Sequence, residues 1–60
     1  MSQRGVDAMF QALFLLTDIR ALFRTTAPSH QLDETQREEA AKIITKLKRQ
    51  VEILEEEVLG

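Results

Sequence analysis

Apolar and polar residues alternate with a helical period in two segments, about residues 6–25 and about 34–59, where apolar side chains recur three or four positions apart. Between them, about residues 26–33, lies the single proline, Pro28, just after the β-branched pair Thr25 and Thr26. Proline disfavours helix at Ala27 and has no amide to donate, so the first helix is expected to stop near Thr25. Next comes Asp33-Glu34-Thr35-Gln36, a helix start. The Asp33 carboxylate can accept from the free amides of the new turn while Gln36 reaches back to the Asp33 amide. Neither glycine nor proline interrupts the chain from Glu34 to Leu59, and Gly60 stands where helices commonly end. The expected fold class is all-α. At 1.5 Å per residue the helices run roughly 30 and 40 Å, and a short connection between neighbouring helices favours an antiparallel hairpin over residues 1–60.

The second segment carries a heptad. Ala40, Ile44, Leu47, Val51, Leu54 and Val58 recur at alternating intervals of four and three. Ile44, Val51 and Val58 take the a positions, with Arg37 one heptad before them, and Ala40, Leu47 and Leu54 take d. β-Branched residues at a with leucine at d also suit a parallel two-stranded coiled coil. Because a first helix is present to pack against, the same stripe reads better as the core of a bundle.

The first segment is apolar over most of its circumference. At 100° per residue, Val6, Met9, Ala12, Leu13, Leu16, Ile19 and Phe23 make the centre of one face. Ala8, Leu15 and Leu22 flank it on one side, and Phe10, Phe14 and Ala21 on the other. Only Asp7, Gln11, Asp18 and Thr25 form a polar strip. One companion helix covers roughly a third of such a rod. The rest, including Phe10, Phe14, Leu15 and Leu22, is expected to stay exposed as an apolar patch larger than soluble monomers usually carry. The expected interface is therefore Met9, Phe10, Leu13, Phe14, Leu15, Leu16, Ile19, Leu22 and Phe23 with Ile44, Leu47, Val51, Leu54 and Val58. A homodimer making a four-helix bundle is the first expectation and another helical protein the second. Charge at Phe14, as in Phe14→Glu, is then expected to disrupt assembly while leaving some helix.

Length sharpens this expectation. A chain of 60 residues buries only about 60% of the surface its unfolded form exposes, so it needs a disulfide, a metal or a partner. There is no cysteine, and with a single histidine the usual tetrahedral zinc site has too few ligands. Association remains. The missing cysteines are compatible with a cytoplasmic or other reducing compartment. Asp7, Gln11, Asp18 and Arg20 interrupt the apolar stretch of the first segment, so it reads neither as a membrane span nor as a targeting peptide.

Charge supports the hairpin and limits the chemistry. Folding back would bring Arg20 and Arg24 near Asp33, Glu34 and Glu38. It would also bring Glu55, Glu56 and Glu57, unfavourable at a helix C-terminus, near Arg4 and the N-terminal amine. The net charge is −2, so no global basic field invites nucleic acid. Lys42, Lys46 and Arg49 share one side of the second helix with Lys48 nearby. They read first as a solvated face with a Glu38–Lys42 pair and second as a patch for an anionic partner such as RNA. No catalytic constellation is expected. Ser29 and His30 are neighbours in a loop without an orienting third group, and the carboxylates Glu52 and Glu56, one turn apart, have no histidine on their helix. The expected activity is binding, by a non-enzymatic adaptor, regulator or assembly subunit without a cofactor. An RNA-binding regulator and an obligate subunit of a heteromeric complex are the rivals.

Overall fold

A computed structural model describes residues 2–60, and in it the chain forms two helices, α1 (Gln3–Thr26) and α2 (Glu34–Leu59), packed antiparallel as a hairpin. Helix α2 has the expected bounds because its ends are chemically marked. The Gln36 amide donates to the Asp33 carboxylate at 2.8 Å, and the Asp33 amide donates to the Gln36 side-chain oxygen at 2.9 Å. At the other end the Gly60 amide donates to the Glu56 carbonyl at 3.1 Å. Asp33→Ala removes the acceptor of this reciprocal pair and is expected to cost about 1 kcal/mol in a urea titration.

Helix α1 departs from expectation at its start. It begins at Gln3 rather than near residue 6, because the Ser2 hydroxyl caps it by accepting from the Gly5 amide at 3.1 Å. Serine satisfies one of the free amides of the first turn, which offsets the poor helix propensity of Gly5. Its end, at Thr26, is one residue beyond Thr25. Residues 27–33 connect the helices, with a cis Ala27–Pro28 bond and His30 at a φ of 57°. That left-handed conformation is disfavoured for a residue with a Cβ, and histidine tolerates it better than most. Local bonds hold it there. The His30 amide donates to the Thr26 carbonyl at 3.0 Å, its ring Nδ1 lies 3.1 Å from the Phe23 carbonyl, and the ring stands edge-on to Phe23 at 5.6 Å.

The seam between the helices falls on a different stripe from the expected one. Along α1 the seam residues that lose most exposure are Gly5, Ala8, Ala12, Leu15, Ile19, Leu22 and Thr26, and Val6, on the side of Leu13, is also half-buried. Along α2 they are Gln36, Ala40, Ile43, Leu47, Gln50, Ile53, Leu54 and Glu57. Leu15 and Leu22, expected in an exposed patch, are half-buried on this seam. On α2 the d residues Ala40, Leu47 and Leu54 turn inward as expected, whereas Ile44, Val51 and Val58 stay exposed and Ile43 is buried in place of Ile44. Side-chain size explains the choice. Gly5, Ala8, Ala12 and Ala40 allow the two backbones to approach closely, and Ala8 is only 2% exposed. Met9, Leu13 and Leu16 on the same line would hold them apart.

Charge closes the open end of the hairpin. The Arg4 guanidinium lies 3.2 Å from Glu56 and 3.5 Å from Glu57, and the Ser2 hydroxyl also donates to Glu57. This matches the expected juxtaposition of Arg4 with the acidic end, and the N-terminal amine lies outside the described residues. Near the loop the expectation fails. Among the described residues no ion pair joins Arg20 or Arg24 to Asp33, Glu34 or Glu38. Both arginines fall more than 90° around α1 from the seam, so they point away from α2. Nor does Glu38 pair with Lys42, and the one intrahelical pair among the described residues joins Arg49 to Glu52 at 3.2 Å.

Candidate functional site

A second apolar stripe runs beside the seam on each helix. On α1 it comprises Met9, Leu13, Leu16 and Phe23, which follow the seam residues Ala8, Ala12, Leu15 and Leu22 by one position. On α2 it comprises Ile44, Val51 and Val58, which follow Ile43, Gln50 and Glu57 by one position. One residue further along a helix is a rotation of about 100° in a fixed sense. Because both helices are right-handed and run in opposite directions, equal offsets turn both stripes to the same side of the hairpin. The result is one apolar face.

The residues of this face are only half covered by their own chain. Leu13 is 51% exposed, Leu16 50% and Val51 52%. A hairpin of 39 × 16 × 13 Å offers roughly 600 Å² on its broad side, or about 1,200 Å² if two such sides meet, which is the lower edge of specific interfaces. Beside the α2 stripe a surface groove of about 440 Å³ is lined by Leu47, Lys48, Val51, Glu52 and Glu55. Its walls come from one helix, so it is a furrow along the face rather than a closed pocket.

The opposite side of the hairpin is polar. Asp18 and Thr25 of α1 line one groove with Glu39 of α2, which places these residues together on that side. Lys42, Lys46 and Arg49 fall on the same side of α2 by helical rotation, away from the apolar face. The Arg49 guanidinium is engaged by Glu52. Phe10 and Phe14 belong to neither face. They are exposed on the back of α1, and Phe14, at 63%, lies toward the polar side.

The expected interface residues thus divide into three groups. Leu15, Ile19, Leu22, Leu47 and Leu54 are half-buried on the seam, whereas Met9, Leu13, Leu16, Phe23, Ile44, Val51 and Val58 form the apolar face. Phe10 and Phe14 stand apart from both. Sequence reasoning noted Arg37 only as the preceding heptad position and Glu55 only as part of the acidic end, and missed that both border the face. Arg37 is one heptad before Ile44 on the same line, and Glu55 lies between Val51 and Val58, so helical spacing alone marks them as neighbours of the stripe.

Few other chemical arrangements are available. Among the described residues no group of three or more His, Cys, Asp or Glu side chains is placed to hold a metal ion. No described helix is long and apolar enough to cross a membrane. No protein family, curated protein or solved structure matches this chain.

Proposed function

We propose that this chain is a small non-enzymatic association module that pairs through its apolar face into a dimeric four-helix bundle. As an adaptor, regulator or assembly subunit, it presents the remaining helical surface to other molecules. One observation carries this reading: Met9, Leu13, Leu16, Phe23, Ile44, Val51 and Val58 share one side of a two-helix hairpin that cannot cover them. Completing the burial of side chains already half covered contributes roughly 1 kcal/mol each. Several together are large against the small stability expected of a two-helix chain of this length.

The pattern also supports binding over catalysis. Each helix devotes one stripe to the seam and the next to the exposed face, the arrangement of a bundle helix with two neighbours. The polar side with Lys42 and Lys46 stays outward in such a bundle, so a weak anionic contact there is compatible with association and does not replace it.

Thermal unfolding over a hundredfold range of chain concentration tests the reading. A dimer melts at higher temperature as concentration rises, because association stabilises only the folded chain. A melting temperature independent of concentration overturns self-association, and a chain that becomes ordered only with a different protein favours the heteromeric rival. Phe14→Glu provides a control on the chosen face. Contrary to the sequence expectation, its position on the back of α1 predicts that the variant sizes like the wild type in light scattering.

A further inference from the structure

We infer that the occupant of the apolar face is a second copy of this chain laid head to tail, with the loop of each hairpin over the open end of the other. This inference rests on the reading of that face as the association surface. Of the charged residues bordering the face, Lys48 lies near mid-length, and those toward its two ends differ in sign. Arg20 and Arg37 lie toward the loop end, and Glu55 lies toward the open end. Two identical faces can meet with their loops together or with their loops apart. With loops together, Arg20 and Arg37 of both copies crowd one end and both Glu55 carboxylates the other. With loops apart, each Arg37 comes to the end of the bundle that holds Glu55 of the second copy.

The apolar residues are compatible with this choice. Two hairpins face to face with loops apart place α1 over α1 and α2 over α2, each pair running antiparallel. Centring the two copies on each other sets Leu13 of one against Leu16 of the other, and brings Ile44 within about two residues, roughly 3 Å, of the level of Val51. Val6 then comes level with Phe23, and Arg37 reaches the turn that carries Glu55 and Val58. With loops together, α1 instead faces α2 of the second copy, which brings Leu16 to the level of Ile44 and Met9 to that of Val51. Apolar residues therefore find apolar partners in either arrangement, and the choice rests on charge, since Arg37 and Glu55 meet only in the head-to-tail arrangement.

Because the chain contains no cysteine, a single Gln31→Cys substitution puts one spin label on the exposed loop. In pulsed dipolar spectroscopy the head-to-tail dimer gives a label separation of roughly 40 Å, close to the hairpin length. A dimer with loops together gives less than roughly 25 Å, a few interhelical spacings. A short distance in a dimeric sample overturns the orientation and leaves self-association standing. Absence of any dipolar coupling, with a monomeric mass, overturns both.

Charge reversal gives a second readout with a sign. Arg37→Glu is expected to weaken dimerisation about 5- to 10-fold at low salt, because it sets a second carboxylate against Glu55 at both ends of the dimer, and the double variant R37E/E55R is expected to restore it. Tighter dimerisation of the single variant would overturn the head-to-tail arrangement, since only the loops-together form gains by losing arginines from a crowded end.

Discussion

Leu16→Asp is expected to abolish association and most helical structure together. Leu16 is half-exposed in the single hairpin, so the hairpin alone has room for a carboxylate at this position. In the proposed dimer that position lies between two copies, and symmetry places two carboxylates there. A buried charge without a partner costs about 3–5 kcal/mol, which for each one corresponds to a rise in dissociation constant of roughly 150- to 5,000-fold. Released hairpins would then expose the whole apolar face, and a two-helix chain of this length has little stability of its own. Sizing should find a monomer and far-ultraviolet circular dichroism a large loss of helix, while Leu16→Met should behave as wild type. Helicity and size both unchanged in the aspartate variant would remove Leu16 from the interface.

Ala12→Phe is expected to fail for a different reason. Ala12 is on the seam at mid-helix, where its small side chain is part of what lets α1 and α2 approach closely. Overpacking such a site costs about 1–3 kcal/mol or more, because neighbouring side chains leave their rotamers or the helices separate. A marginal chain should lose cooperative unfolding in a urea titration. The same substitution at exposed Ala21 should change the midpoint little. The two variants separate the packing within a hairpin from the packing between hairpins, since Ala12→Phe attacks the seam and Leu16→Asp the face.

The ends of α2 were legible because they are written in side-chain chemistry. Asp33 and Gln36 form the reciprocal cap their spacing implies, and Gly60 closes the helix. The start of α1 lies before residue 6 because the Ser2 hydroxyl caps the helix ahead of the buried Gly5, and the apolar periodicity that marked the helix begins only at Val6. The hairpin itself followed from Pro28 and the acidic end, and the contact of Arg4 with Glu56 and Glu57 agrees with it.

Which stripe faces inward was not legible from hydrophobicity. On α1 the seam and the exposed face are neighbouring lines one residue apart, so a helical wheel shows them as one wide arc. Ranking that arc by hydrophobicity puts Met9, Leu13 and Leu16 at its centre, whereas the helices choose the line with the smallest residues. Close approach of two backbones depends on volume, and a hydrophobic ranking gives glycine and alanine little weight. On α2 the same ambiguity separated Ile43 from Ile44, adjacent residues of identical chemistry with opposite fates. The total apolar circumference was readable, and its surplus over one neighbour is what the proposed second copy would cover.

Sedimentation equilibrium of the wild-type chain from micromolar to millimolar concentration bears most directly on that surplus. A subunit of 6.9 kDa is expected to give twice its mass over most of this range and to approach the single mass only at the dilute end. A species of 6.9 kDa that stays helical, compact and unassociated at millimolar concentration would contradict the account.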